Sequence, residues 1–254
     1  WHGIPIKTVG NCAGGRTGYD FSHIDYFCIS GEYEVELYKK AFNINDGQLL
    51  RVGMPRNDAL YETEADEVYA IKERLGLPKN KKVILYAPTW RDSKDGGKTY
   101  TVCPPVNFDE WRDKLGDEYI LLFRAHPYTS KLMNIKFDSF VQDYSKYPFM
   151  NDLLKISDIL ISDYSATLFD FSILERPMIC FAYDYEEYSK ERGLFMDLSA
   201  EIPGGLVFNE AKVVEIIQNQ KFDLDEVRTF KQRYIEYGGQ ATEKCVDALL
   251  NHKK

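Results

Sequence analysis

Four stretches of this 254-residue chain combine side chains able to handle charged oxygen with small residues or prolines that would present them. Ser162 to Phe171, S-D-Y-S-A-T-L-F-D-F, follows the apolar run I-L-I and would open a helix, where backbone N–H groups and the macrodipole favour an anion such as phosphate. Ser165 and Thr167 add hydroxyl donors, Ser162 and Asp163 lie in the same loop, and Asp170, one turn on, has the chemistry to accept from ribose hydroxyls. The same residue types also suit a plain helix cap, so both readings stay open. Arg124 to Tyr128, R-A-H-P-Y, ends the run I-L-L-F; a cation and an imidazole at a strand terminus can face a diphosphate together, with Pro127 fixing the turn. A loop histidine is more often structural than catalytic, but the position of His126 between a strand end and a proline, near Arg124, favours function. Tyr86 to Asp92, Y-A-P-T-W-R-D, offers Thr89 and Arg91 as phosphate or acceptor contacts, or else a loop anchored by Trp90. Trp1 to Lys7, W-H-G-I-P-I-K, sets His2 between a large aromatic and a glycine, which suits a general base working near neutral pH.

Positioning such residues requires a scaffold, and short β-branched or aromatic runs alternating with amphipathic stretches supply one. Strands are expected at Asp25 to Ile29, Leu49 to Val52, Val83 to Ala87, Ile120 to Arg124, Ile159 to Asp163 and Met178 to Phe181. Helical spacing is expected at Glu32 to Phe42, Glu64 to Leu75, Ala166 to Leu174, Glu210 to Gln218 and Leu224 to Tyr237. This alternation implies an α/β fold with a doubly wound parallel sheet, in which ligands sit at the carboxyl ends of the strands. The Gly, Pro, Asn and Asp of V-G-M-P-R-N-D-A-L place a junction near Gly53 to Leu60. Residues 58–238 would then form a complete unit, and residues 1–57 the end of a truncated N-terminal domain. A chain that opens at Trp1, already inside a motif, reads as the downstream piece of something longer.

Composition narrows the function. A hydrophobic content of 44% with 14% aromatics is enough for a full core. The formal charge of −8 disfavours a general nucleic-acid binder, so any anionic ligand must be met locally. Cys12, Cys28, Cys103, Cys180 and Cys245 form no C-x-x-C pair, which suggests reduced thiols rather than a zinc site or disulfide framework. No apolar run reaches the roughly 18 residues of a membrane span. The catalytic part is therefore expected to be soluble.

Together the four segments, in this order, resemble the CDP-glycerol glycerophosphotransferase family, whose members prime and polymerise the glycerol-phosphate or ribitol-phosphate backbones of wall teichoic acids and some capsules. W-H-G-I-P-I-K is similar to the family's W-H-G-T-P-L-K-type motif, with Ile4 and Ile6 in place of Thr and Leu. V-G-M-P-R-N-D is similar to its G-x-P-R-x-D turn, and Y-A-P-T-W-R, R-A-H-P and S-D-Y-S-A-T-L-F-D-F-S-I-L-E-R-P follow in register. The resemblance implies a GT-B-like, Rossmann-type fold, with residues 1–57 ending the acceptor-side domain and residues 58–254 binding the nucleotide donor.

The same resemblance implies roles. His2 would be the base that activates the acceptor hydroxyl, and His126 would contact the donor diphosphate. Ser162, Asp163, Ser165, Thr167 and Asp170 would form the donor loop, with Arg56, Thr89, Arg91 and Arg124 as further donor-side groups. The implied partners are CDP-glycerol or a related CDP-polyol and a lipid-linked glycan or polyol-phosphate acceptor. The implied location is cytoplasmic, on the inner face of the cell membrane through an upstream region. No Asp-rich metal motif is visible and no cofactor is expected, so positive side chains and a helix end would stabilise the leaving charge. By analogy alone, Lys146 to Leu154 would hold the base. Two alternatives remain: a GT-B glycosyltransferase or epimerase acting on a UDP-sugar, and a nucleotide-binding module without catalysis.

Overall fold

Six parallel strands in the order β5-β4-β3-β6-β7-β8 form the main sheet of the computed structural model, which describes residues 3–89, 91, 104–125 and 135–251. The strands are β3 (Lys82–Tyr86), β4 (Tyr119–Phe123), β5 (Val141–Asp143), β6 (Ile159–Ser162), β7 (Met178–Phe181) and β8 (Leu206–Val207). Parallel pairing leaves β4, β6 and β7 buried at every residue, which is why they read as unbroken apolar runs. Alternate side chains enter two cores. Val83, Leu85, Ile120, Leu122 and Leu160 face one layer, while Ile84, Tyr86, Leu121, Phe123 and Ile161 face the other. The first layer is closed by helices Met150–Ile156, Thr167–Ser172 and Leu224–Tyr234, and the second by Phe108–Leu115 and Glu210–Gln218.

Sheet order reverses direction between β3 and β6, the strands that begin its two halves. A crevice opens at the carboxyl ends of such a pair, because the connections leave toward opposite faces. Thr89 follows β3 and Asp163 follows β6, so this topology brings two of the sequence motifs to one place.

Earlier in the chain, β1 (Phe27–Ile29) and β2 (Leu49–Arg51) make a separate parallel pair, packed with helix Tyr33–Phe42 around Phe27, Ile29, Tyr38 and Phe42. The returning C-terminal segment fastens this pair to the rest. The N–H groups of Glu236 and Tyr237 donate to the Ser30 carbonyl at 2.8 and 2.9 Å, and Asp58 accepts from the N–H groups of Ala241 and Thr242. Gly31 and Gly53 permit this approach, since a Cβ on either would lie 2.6 Å from the carbonyl oxygen of Tyr234 or Tyr237. The sulfurs of Cys28 and Cys245, both free, approach to 3.3 Å between β1 and helix Ala241–Leu250.

Two helices end earlier than their spacing predicts. Thr167–Ser172 stops short of Leu174, its last turn tightening into Glu175, which sits at φ 52° just before Arg176 and Pro177. Leu224–Tyr234 stops short of Tyr237 because residues 236 and 237 turn away to meet Ser30. Among the described residues no helix is long and apolar enough to cross a membrane.

Candidate active site

The first motif is laid down as a ribbon whose backbone is gripped on both sides. Tyr38 Oη lies 2.9 Å from the Gly3 carbonyl, and Tyr33 Oη donates to the Pro5 carbonyl at 3.3 Å. From the opposite side the Phe195 N–H donates to the Ile6 carbonyl at 2.8 Å, and the Thr8 N–H to the Gly193 carbonyl at 3.0 Å. Gly3 adopts φ 73°, and a Cβ there would collide with Arg56 Nη2, so backbone conformation and space both demand glycine. Ile4 and Ile6, the two departures from the family motif, are 3% and 1% exposed and pack into the core beneath the site.

That ribbon forms one wall of a cleft of about 300 Å³. Its other walls come from Arg56, Thr89 and the loop from Tyr164 to Thr167, with Asp170 behind them. Ser165 Oγ donates to Thr167 Oγ1 at 2.9 Å and accepts from the Thr167 N–H at 3.2 Å, a local turn that starts the helix. No described residue accepts from the N–H groups of Ser165 and Ala166, at the loop's bend against the cleft. Asp170 receives Arg56 Nη2 at 3.0 Å and Asn57 Nδ2 at 2.6 Å, so its carboxylate is engaged in fixing the β2-side segment. Lys7, which the sequence reading left without a role, also lines the cleft. The clue was its charge at the end of the first motif.

Beneath the cleft lies a buried charge cluster. Arg91, 9% exposed, makes a bidentate pair with Asp184, Nε to Oδ2 at 2.7 Å and Nη2 to Oδ1 at 2.9 Å. Its Nη1 donates to the Thr89 carbonyl at 2.7 Å. Nη2 stands 3.0 Å from Asp163 Oδ2, an ionic contact whose angle falls outside hydrogen-bond geometry. Burial alone would lower the Arg91 pKa, but Asp163 and Asp184 outweigh it and hold the guanidinium above its ordinary value. The rings of Tyr164 and Tyr188 stack at 3.9 Å, with the guanidinium 4.9 and 4.8 Å from their centroids. Asp163 Oδ1 in turn accepts from the Thr89 N–H at 2.8 Å and the Tyr164 N–H at 2.7 Å. Arg91, Asp163 and Asp184 therefore lock the loops after β3, β6 and β7 together. Asp184 was not singled out from sequence, although it follows the β7 run as the other site residues follow theirs.

The remaining expected residues fall in different places. Ser162 is fully buried and donates to the Ala87 carbonyl at 2.7 Å, bracing the two strand ends. Arg124 turns its guanidinium to the carbonyls of Tyr144, at 3.1 Å, and Tyr147. It holds the segment before helix Met150–Ile156 and is not among the cleft-lining residues. His2 and His126 lie outside the described residues.

A family model described as CDP-glycerol:poly(glycerophosphate) glycerophosphotransferase matches residues 1–251. The chain belongs to this glycerophosphotransferase family. It is 36% identical to a teichoic acid glycerol-phosphate transferase of Staphylococcus aureus, over 98% of this chain and 70% of that protein. It is also 36% identical to a teichoic acid poly(glycerol phosphate) polymerase of Bacillus subtilis, over 98% of this chain and 36% of the polymerase. The solved wall teichoic acid polymerase TagF superposes with a TM-score of 0.85 at 31% identity, over 98% of this chain and 66% of that one. A histidine-to-asparagine variant of TagF soaked with CDPG superposes at 0.86. The chain thus spans about a third of the Bacillus polymerase and about two thirds of the TagF chain. Membership in the glycerophosphotransferase family places the cleft on a GT-B-like α/β scaffold.

Proposed function

We propose that this chain transfers glycerol phosphate from CDP-glycerol to a hydroxyl acceptor of teichoic-acid or capsule type, releasing CMP. The observation that carries the reading is the meeting of the first motif, Arg56, Thr89 and the Ser165–Thr167 loop in one cleft at the sheet's reversal point.

The acceptor hydroxyl attacks the phosphorus that bears glycerol. A new O–P bond forms, the bond from that phosphorus to the bridging oxygen breaks, and CMP leaves with that oxygen. His2 takes the acceptor proton, and His126 contacts the diphosphate. Donor-side charge is met by Arg56, the Ser165 and Thr167 hydroxyls and the N–H groups at the bend of their loop. Arg91 and Asp163 act one step back by holding Thr89 and Tyr164 in place, and Ser162 does so by bracing Ala87. Residues 58–254 form the donor-binding unit, and residues 1–57 close the acceptor side. The acceptor is a lipid-linked glycan or polyol phosphate, met at the inner membrane face.

Incubating the full-length protein with CDP-glycerol, CDP-ribitol or UDP-sugars and an acceptor analogue tests this. CMP release from CDP-glycerol is expected. UDP release with no CMP would replace it with the UDP-sugar reading.

A further inference from the structure

Glu34 is fully buried in helix Tyr33–Phe42 and forms no ion pair among the described residues, an expensive placement for a carboxylate. Its Oε2 accepts from the Ser30 N–H at 2.5 Å, and the Gly31 N–H also reaches the carboxyl group. Its Oε1 lies 2.6 Å from Tyr38 Oη, which in turn lies 2.9 Å from the Gly3 carbonyl oxygen. A phenol has one proton and cannot donate fully to both. All three contacts are satisfied at once only when Oε1 carries a proton and donates to Tyr38, leaving the Tyr38 proton for Gly3.

We propose that Tyr38 and Glu34 are positioning residues for the transfer reaction: a hydrogen-bond chain from Glu34 through Tyr38 Oη fixes the carbonyl of Gly3, the residue next to His2 in the chain. The inference rests on the proposed role of His2 as the acceptor-side base. Arg56, itself held by Asp170, occupies the space where a Cβ on Gly3 would be, so the chain and this packing together clamp a residue that has no side chain to hold it.

The clamp depends on pH. Burial pushes the Glu34 carboxyl up to about 7 against the opposing pull of Tyr38, the Ser30 and Gly31 N–H groups and Arg56. The other titratable groups facing it are Tyr33 on its own helix and the Cys28 thiol on β1. When Glu34 ionises, its charged oxygen becomes the stronger acceptor for the Tyr38 O–H, which stays protonated and turns its hydrogen bond away from the Gly3 carbonyl. Turnover should then decline on the alkaline side, superimposed on the rise expected from a histidine base.

The test compares wild type, Tyr38→Phe and Glu34→Gln in the full-length protein, by CMP release across neutral pH and by CDP-glycerol calorimetry. Tyr38→Phe should lower kcat on the order of ten- to a hundredfold with donor affinity unchanged, as expected for a misplaced reacting group. Glu34→Gln still donates to Tyr38 but cannot ionise, so it should hold its turnover where the wild type declines. A folded Tyr38→Phe protein with wild-type kcat overturns the proposal, as does a Glu34→Gln profile that declines like the wild type. If Tyr38→Phe does not fold, the Glu34→Gln profile decides alone. Absence of CMP release from the wild type would sink the transfer reading and the proposal with it. Wild-type turnover that both variants match would sink only the proposal.

Discussion

Arg56 Nη2 lies 3.0 and 3.1 Å from the two carboxylate oxygens of Asp170, joining the segment after β2 to the helix after β6 at the side of the cleft. Both ends matter, since Arg56 also backs Gly3 and Asp170 also holds Asn57. Asp170→Asn and Arg56→Lys should each lower kcat/KM for CDP-glycerol about tenfold, because the first removes the negative charge and the second shortens the reach of the nitrogen that bridges both carboxylate oxygens. The double variant should be little worse than either single one. Strict additivity in CMP-release kinetics would show that the two residues do not act as a unit.

The loop that starts the helix after β6 should contribute to donor binding through hydroxyls and unengaged N–H groups. Replacing Ser165 by Ala and Thr167 by Val removes both hydroxyls and the turn between them. CDP-glycerol affinity should fall on the order of tenfold with the fold retained and stability lowered by only about 1 kcal/mol from the lost turn. Calorimetry giving the wild-type dissociation constant would remove this loop from the donor site.

Arg91 is nearly inaccessible and depends on two carboxylates for its compensation. Asp184→Ala leaves that cation half-paired in the interior, so unfolding in urea should show a loss of roughly 3–5 kcal/mol. Asp184→Asn, which keeps the shape, should lose less. A loss within experimental error for Asp184→Ala would contradict the buried placement.

Glu34 makes stability depend on pH in a predictable direction. Its folded pKa of about 7 stands above the ordinary 4.5, so between those values the unfolded chain gives up a proton that the folded chain keeps. Stability from this group is complete below the lower value and lost as pH rises through the upper one. Glu34→Gln removes the effect, so relative to wild type it should gain roughly 3 kcal/mol on going from the acid to the alkaline side of the window. Denaturation curves that keep the same offset at both ends would mean the carboxyl titrates normally.

The two histidines should fail differently. His2→Gln should leave CDP-glycerol binding near normal and cut turnover on the order of a hundred- to ten-thousandfold, abolishing the rise in rate through neutral pH. His126→Ala should weaken both donor binding and turnover. Equal losses of donor affinity in the two variants would end this division of roles.

The central strands were legible because burial on both faces leaves an uninterrupted apolar signature, as in L-L-F and I-L-I. The five expected helices are present as well, while several other elements were not legible. Helix Tyr185–Arg192 buries only Tyr188, so its residues carry no amphipathic rhythm, and edge strands β5 and β8 are three and two residues long. The Ser162–Thr167 loop was visible as small hydroxyl residues after a strand. What Arg91 does was not, because its partner Asp184 lies 93 positions away and a cation in a loop looks the same whether it faces a ligand or an interior carboxylate. Arg124, turned toward Tyr144 and Tyr147, illustrates the same limit. Glu34 was hidden for a related reason: in sequence it is an acid in the first turn of a helix, and only the fold buries it.

The returning segment around Tyr237 has a consequence for the order in which the molecule is made. During synthesis the first motif leaves the ribosome long before residues 236–242, which supply the bonds to Ser30 and Asp58. Until those last residues emerge, the β1–β2 pair has only part of its attachment to the large sheet. The fastening of the β1–β2 pair therefore sets late, and a nascent chain truncated before Glu236 would carry every cleft residue, with Ile6, Thr8 and Arg56 already bonded to Phe195, Gly193 and Asp170, but without the last bonds that brace the Gly3 side of the site.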